Sequence, residues 1–150
     1  MNISSKGSYP ANKLSNFAGH TFVFDGVACA SAEGLLQSFK FKEPAIQEYV
    51  CTLVGMAAKK RGSSRSKTWQ RVQTLWWKGV EYPRKSKEYQ QLLDSAYDAL
   101  FEGSESFRRA LAAAGDATFK HTIGRSNPAE TVLTEAEFCS QLNRLRLKLS

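Results

Sequence analysis

The chain has 150 residues and a mass of 16.7 kDa, a length that predicts one domain over residues 1–150. Apolar residues make up 42% and charged residues 23%, which excludes a disordered or fibrous protein. No apolar run approaches the roughly 18 residues of a membrane span, and the polar start Met1–Lys6 does not resemble a signal peptide. We therefore expect a cytoplasmic protein that does not bind membranes.

Cysteine and histidine are few and widely spaced. Cys29, Cys51 and Cys139 form no Cys-x-x-Cys pair, which argues against a disulfide framework and favours buried thiols. With only His20 and His121 besides, no group has the spacing of zinc ligands. The sequence therefore predicts no metal site.

The first elements of the chain are a hairpin and a helix. Two short strands, Thr21–Phe24 and Val27–Cys29, flank Asp25-Gly26, a pair typical of a type I′ turn. Ser31 is a suitable N-cap for a helix that runs to about Phe41.

The middle of the chain is predicted to be mostly helical. Pro44 suits the first turn of a helix ending near Gly62, and residues 62–67 read as a flexible basic loop. A further helix is expected from Thr68 to about Lys78. The apolar period within Ser86–Phe101 predicts another.

Helix signals dominate the last third as well. We expect a helix over Glu105–Ala114 that stops at Gly115, and a strand over Thr118–Ile123. Residues 124–128 form a turn-rich loop that could border a site. Thr134-Glu-Ala-Glu137 has the form of a capping box and opens the last helix, through Leu142 and Leu145.

Positive charge is concentrated in residues 59–87. This segment has ten basic residues and one acid, Glu81, so its net charge is +9 against +7 for the whole chain. Trp69, Trp76, Trp77 and Tyr82 are interleaved with the cations. Such a segment could bind phosphates with its cations and a base or ribose with its rings. The alternative is a solvated basic face above core tryptophans.

The most distinctive chemistry lies in the helix expected after Ser31. Glu33, Gln37 and Lys40 are four and three residues apart, so a carboxylate, an amide and an amine fall on one helix face. Nearby phenylalanines favour a partly dry cleft, in which burial raises the pKa of a carboxyl and lowers that of an amine, while pairing opposes both shifts. The alternative is a solvated polar stripe.

Several short motifs spread over nearly the whole chain match one known family. They are Ser15-Asn16-Phe17, the helix Glu33…Gln37…Lys40-Phe41, Ala58-Lys-Lys-Arg-Gly62, Trp69, and the Leu-rich last helix ending in Arg146. On these motifs the chain resembles the NADAR family, also called the YbiA-like family. The Asn-Phe pair followed by the Glu-x-x-x-Gln-x-x-Lys-Phe helix is the most specific part of the match.

The resemblance implies an α+β fold, a single compact and mostly helical domain with a small β-sheet. It also implies cleavage of N-glycosidic bonds. Some members remove ADP-ribose from the guanine amino group of nucleic acid, as partners or opponents of DNA ADP-ribosyltransferases. Others hydrolyse ribosylamino-pyrimidine phosphates of riboflavin biosynthesis. Both reactions break a ribose C1′–N bond and need only water, so no cofactor is implied. The expected location is the cytoplasm of a bacterium or of a virus-infected bacterium.

Carried over by position, the resemblance implies catalytic roles for two residues of the helix. Glu33 would make the proton transfers, and Lys40 would be a Schiff-base nucleophile or, in a weaker version, only a cation. Ligand binding is expected from Ser15, Asn16, Phe17, Gln37 and Trp69, although Phe17 and Trp69 could instead be core aromatics. Independently of the resemblance, the basic segment offers contacts to nucleic-acid phosphate from Lys59, Lys60, Arg61, Arg65 and Lys67. For Arg65 and Lys67 the alternative is that they are loop charges without a ligand.

The sequence departs from the family pattern in one stretch. Many members have a Glu-containing strand and a Trp-Gly loop after the penultimate helix, whereas residues 118–127 contain neither Trp nor acid. His121 could replace these groups in proton transfer or binding, and Gly124 with Arg125 could bind phosphate; a structural histidine is the alternative.

Three functions stay open at this point. The first is a glycosidase that removes ADP-ribose from nucleic acid, favoured by the basic segment. The second is a metabolic glycosidase on a small ribosyl phosphate. The third is a binder of nucleic acid or ADP-ribose without catalysis.

Overall fold

Helices and two short hairpins alternate along the chain in the computed structural model, which describes residues 1–149. The elements are α1 (Ala11–Leu14), β1 (Gly19–Phe24), β2 (Val27–Ser31), α2 (Ala32–Ser38), α3 (Pro44–Cys51), α4 (Gly55–Ser63), α5 (Ser66–Val72), β3 (Thr74–Trp77), β4 (Val80–Pro83), α6 (Lys87–Gly103), α7 (Glu105–Ala113) and α8 (Glu135–Arg146). About half of the described residues are helical, which confirms the α+β prediction. None of the helices within 1–149 combines the length and apolar character needed to cross a bilayer.

The first hairpin and the helix after it form as predicted. β1 and β2 pair antiparallel around Asp25-Gly26, and both turn residues have positive φ, as a type I′ turn requires. The Ser31 hydroxyl caps α2 by accepting a hydrogen bond from the Gly34 amide at 3.0 Å. α2 ends at Ser38, three residues before the predicted end.

The single helix predicted from Pro44 to Gly62 is wrong. The structure has two helices there, α3 and α4, separated by residues 52–54. They are separate because α2 lies close to the backbone carbonyl oxygens at the end of α3. A Cβ on Gly34 would lie 2.7 Å from the Leu53 carbonyl oxygen, and the Ser31 hydroxyl donates to that same oxygen. Gly55, with a φ of +57°, then lets the chain turn into α4.

The basic loop predicted over 62–67 and the helix predicted from Thr68 to Lys78 are also wrong. α4 extends to Ser63 and α5 already begins at Ser66. α5 ends where Gln73 adopts left-handed φ, and a second hairpin of β3 and β4 follows around Lys78-Gly79. The tryptophans of β3 are buried in the core, which explains why this strand has no polar face.

Gln47 joins the two halves of the fold around the end of α2. Its side chain is buried, and its Nε2 donates to the carbonyl oxygens of Ser38, Phe41 and Trp76 at 3.2, 2.9 and 2.8 Å. The Trp76 amide in turn donates to the Phe39 carbonyl. The segment that follows α2 is therefore fixed between α3 and β3.

The predictions of the three later helices are confirmed. α6 begins after the Ser86 cap, and a Cβ on Gly103 near its end would lie 2.6 Å from the Phe22 Cβ of β1. α7 ends at Ala113, and α8 begins with the complete capping box of Thr134 and Glu137.

The strand predicted over Thr118–Ile123 is wrong, because its partner is too short to form a sheet. The pairing is an isolated parallel bridge between Asn2 and Lys120. It is flanked by hydrogen bonds from the Ile3 amide to the Lys120 carbonyl and from the Lys120 amide to the Met1 carbonyl. The amino-terminal residues thus hold the 118–122 segment in place.

The core contains two free thiols and one buried arginine. Cys29 and Cys51 are buried free thiols and Cys139 is half-buried. Arg84, part of the basic segment, is 1% exposed and forms a two-pronged ion pair with Glu137 at 2.7 and 3.1 Å, so its charge serves the fold.

Candidate active site

A cavity of about 220 Å³ lies beside the face of α2 that carries Glu33 and Gln37. Its walls come from the amino-terminal segment, the turn after α1, α2 with one residue of α4, the loop that follows Lys120, and the segment before α8. The lining residues that the sequence predicted are Ser15, Asn16, Phe17, Glu33, Gln37, Lys59, His121, Gly124 and Arg125. The structure therefore brings most of the predicted site together.

Glu33 and Gln37 form a hydrogen-bonded pair on the cavity wall. Gln37 Nε2 donates to Glu33 Oε2 at 2.7 Å, as their spacing of four residues on α2 allows. The Glu33 backbone amide donates to the Asn16 carbonyl at 3.0 Å and so ties α2 to the turn after α1. Gln37 Oε1 is buried and has no hydrogen-bond partner within residues 1–149.

Burial raises the pKa of the Glu33 carboxyl above its usual value. The hydrogen bond from Gln37 and the charges of Lys40 and Lys59 oppose this shift but do not cancel it. A carboxyl in this state can be protonated closer to neutral pH than an exposed one, which suits a general acid.

Lys40 lies one turn further along the same helix face. The Lys40 backbone amide donates a hydrogen bond to the Gln37 carbonyl, which continues the helical turn of α2 past Ser38. The ammonium is nearly buried and donates to the Ser66 hydroxyl of α5 at 3.2 Å, and Lys40 does not itself line the cavity. Burial lowers its pKa to about 8, opposed by the Glu33 carboxylate and assisted by Lys59 and Arg125. About one amine in ten is then neutral at pH 7.

Asn16 is oriented by Tyr97, a residue that no sequence motif indicates. The buried Tyr97 hydroxyl of α6 donates to Asn16 Oδ1 at 2.7 Å, which leaves the amide nitrogen of Asn16 as a donor for a ligand. The Ser15 hydroxyl is occupied locally, since it accepts from the Phe17 amide at 3.2 Å. Asn16 and Tyr97 are 81 residues apart, so no spacing rule connects them.

His121 is held firmly at the opposite wall. Its Nδ1 lies 2.9 Å from the Ile3 carbonyl oxygen, and its ring meets the Phe138 ring edge-on with centroids 4.9 Å apart. Gly124 is adjacent, where a Cβ would lie 2.6 Å from His121 Cδ2. Arg125 lines the cavity and pairs with Glu130 at 3.7 Å.

The remaining predicted residues lie outside the cavity. Lys60 and Lys67 are exposed on α4 and α5. Arg61 and Arg65 are half-buried, with their guanidinium carbons 4.9 and 4.8 Å from the centre of the buried Phe41 ring. Trp69 is fully buried in the core, so the structure separates its ring from any ligand in the cavity.

The sequence did not single out the apolar part of the wall. Leu36, Ile123, Val132 and Leu133 line the cavity, and Ser5 and Thr131 complete it. Leu36 could have been found from its position beside Glu33 and Gln37, whereas the 131–133 segment carries no local signal. Within residues 1–149 no group of His, Cys, Asp or Glu is arranged to hold a metal ion.

The fold is that of a NADAR-like protein. The sequence profile of the family described as bacteriophage protein GP30.3 matches residues 8–147, and the chain belongs to this NADAR-like family. The resemblance drawn from the motifs is thereby confirmed.

Two relatives show how far the likeness extends. An uncharacterized 17.1 kDa protein from the Gp30-rIII intergenic region of Enterobacteria phage T4 is 37% identical over 147 residues, covering 97% of this chain and 96% of its own. The NMR structure of the E. coli protein YbiA matches with a TM-score of 0.64 and 19% identity, over 99% of this chain and 83% of that one. The second likeness is one of fold.

Proposed function

We propose that the protein is an N-glycosidase that hydrolyses the bond between ribose C1′ and a nitrogen. Its substrate is ADP-ribose attached to guanine in nucleic acid. One observation carries the proposal: an acid with a raised pKa, Glu33, lines the cavity, and an amine with a lowered pKa, Lys40, follows it on the same helix face just outside the cavity lining. Opposite shifts of this kind are what acid–base and nucleophilic catalysis need.

Glu33 makes the proton transfers in this mechanism. Its protonated carboxyl donates to the departing base nitrogen or the ribose ring oxygen, and the resulting carboxylate later activates water. Gln37 holds the carboxylate oxygen at 2.7 Å, so the acid keeps one orientation through the reaction.

Lys40 is the nucleophile. An exocyclic amine on C1′ can open its ribose to an imine, with which a neutral lysine exchanges to give a Schiff base and release the guanine amine. Water then hydrolyses the Schiff base and restores the free amine. A pKa of about 8 provides the neutral amine near physiological pH, and the ammonium must leave the Ser66 hydroxyl to react.

Ligand recognition falls to groups on the cavity wall and rim. The free amide nitrogen of Asn16 suits a ribose hydroxyl, Phe17 offers an aromatic face, and Lys59 with Arg125 suits a phosphate. Ligand sites commonly measure about 300–1,000 Å³, so a 220 Å³ cavity would enclose only part of an ADP-ribosyl nucleotide. The rest would lie on the surface that carries Lys60 and Lys67.

A nucleic-acid substrate accounts for the concentration of cations in residues 59–87. The protein would then act inside an infected bacterium and reverse the modification made by a DNA ADP-ribosyltransferase; its relative in phage T4 supports that setting.

A ribosylamino-pyrimidine phosphate is the second candidate substrate. The small cavity and its two rim cations are sufficient for a single ribosyl phosphate, without any surface contact. The same acid and amine would carry out that hydrolysis.

A mass-spectrometric time course of a short DNA bearing ADP-ribose on the guanine amino group tests the proposal. We expect the wild type to release ADP-ribose, Lys40→Arg to be at least about 100-fold slower, and the exposed neighbour Lys42→Arg to match the wild type. Borohydride should trap a covalent adduct on Lys40.

Each other outcome has a distinct meaning. Full activity of Lys40→Arg would end the Schiff-base mechanism while leaving the glycosidase. Release from a ribosylamino phosphate alone would favour the second substrate, and binding without release from either would leave a non-catalytic binder.

A further inference from the structure

His121 occupies the stretch in which the sequence departs from the family pattern, and the structure gives it a definite state. A carbonyl oxygen only accepts hydrogen bonds, so the 2.9 Å contact with Ile3 requires the proton of the neutral ring to lie on Nδ1. Nε2 therefore carries the lone pair. Within residues 1–149 it has no hydrogen-bond partner, and the residue lines the cavity that contains Glu33.

The ring cannot easily turn away from this position. The Phe138 ring packs against the imidazole edge-on. Gly124 lies against the imidazole as well, so closely that the Cβ of any other residue at position 124 would collide with it. The backbone is fixed too, since the His121 amide donates to Glu135 at 3.1 Å. Such a fixed tautomer with one free nitrogen is the arrangement that a general base needs.

We propose that His121 is a catalytic base that activates water for the hydrolytic step, with the Ile3 carbonyl as the group that positions it. The inference rests on the proposed function and deepens it, because it divides the proton transfers between two residues. Glu33 acts as the acid, and His121 takes over the activation of water.

The step that consumes water is balanced as follows. In the protonated Schiff base, the water oxygen bonds to C1′, one water proton passes to His121 Nε2, and the π electron pair of the C1′=N bond moves to the lysine nitrogen. The imidazolium then gives its proton to this nitrogen, and the C1′–N bond breaks with its electron pair on the nitrogen. The remaining hydroxyl proton passes to the Glu33 carboxylate as the C1′ carbonyl forms, so that neutral Lys40, neutral His121 and protonated Glu33 are all restored.

The charged groups around His121 come from every wall of the site. Glu33 faces it from α2, Lys59 from α4 and Arg125 from its own loop, while Glu135 of α8 binds its backbone. His121 therefore shares the cavity with the proposed acid and with the two cations suited to a phosphate.

The test uses steady-state release of ADP-ribose from the modified DNA by full-length variants. His121→Asn keeps a donor for the Ile3 carbonyl and removes Nε2. We expect kcat to fall by about 100-fold or more with less than about a threefold change in KM. In His121→Ala, added imidazole should restore part of kcat, which a purely structural role would not allow.

Thr122→Ala is the matched control. It removes the hydrogen bond from Asn2 on the same segment without altering a cavity residue, and we expect wild-type kcat. A His121→Asn variant as active as the wild type, or one changed only in KM, would overturn the inference alone. If the wild type releases nothing from either substrate, the proposed function fails and the inference fails with it.

Discussion

Glu33 and Lys40 are seven residues apart on one helix face, and each alters the proton affinity of the other. The negative charge of Glu33 favours the ammonium form of Lys40, whereas burial favours the neutral amine, and burial is the larger effect. A minor fraction of the amine is therefore neutral near the pH of a cell.

This balance predicts the titration of Lys40. NMR titration of protein with labelled lysine should give Lys40 a pKa of about 8. In Glu33→Gln the opposing negative charge is gone, so the pKa of Lys40 should fall further. Glu48→Gln removes an exposed carboxylate of α3 and should leave it unchanged. An ordinary lysine titration in the wild type, above pH 10, would contradict the buried site.

At the scale of elements, predictions succeeded where a local signal was complete. The Asp25-Gly26 turn, the Ser31 cap and the capping box of α8 each place their hydrogen bonds within a few residues, and all three form as expected. The helix expected over 44–62 failed because the contact that divides it comes from Gly34 on another helix. Sequence spacing does not record such a contact.

The contact between α2 and α4 offers a sharp test of the site. Gly62 lies in α4 against Gln37, and an added Cβ would lie 1.8 Å from Gln37 Oε1. Gly62→Ala must therefore displace the amide that holds Glu33. We expect the free energy of unfolding, measured with denaturant, to fall by about 1–3 kcal/mol, and release of ADP-ribose to slow.

The sign of the effect is diagnostic, because alanine otherwise stabilises a helix relative to glycine by about 1 kcal/mol. Gly19→Ala is the control, since its Cβ would meet nothing within 4 Å. A Gly62→Ala variant more stable than the wild type would mean that Gln37 moves freely.

For the whole molecule, the family motifs identified one part of the cavity lining and the divergent 118–127 stretch another, but the fold completes the cavity from segments far apart in sequence. Asn16 depends on Tyr97, and His121 depends on Ile3, which lies 118 residues away. Neither pair has a local pattern. The distribution of charge, by contrast, was visible in the sequence, and the structure separates its buried member, Arg84, from exposed ones such as Lys60.

If nucleic acid is the substrate, its binding should depend steeply on salt. Replacing Lys60 and Lys67 together by glutamine should reduce the slope of log affinity against log salt by about 0.7 for each lost contact with single-stranded DNA. A double variant of Arg109 and Lys148, which pair with Glu105 and Asp98, changes the net charge equally and should keep the slope. Equal slopes in the two variants would favour the small-molecule substrate.

The pairing of Asn2 with Lys120 also sets an order of events during synthesis. The first residues leave the ribosome long before the segment that they must bind, and about 6–24 s of translation separate the two at common elongation rates. Until then the Ile3 carbonyl cannot accept its hydrogen bond from His121. The cavity wall that contains His121 is therefore among the last parts of the molecule to form, and a nascent chain carries the helix of Glu33 and Lys40 without a closed site.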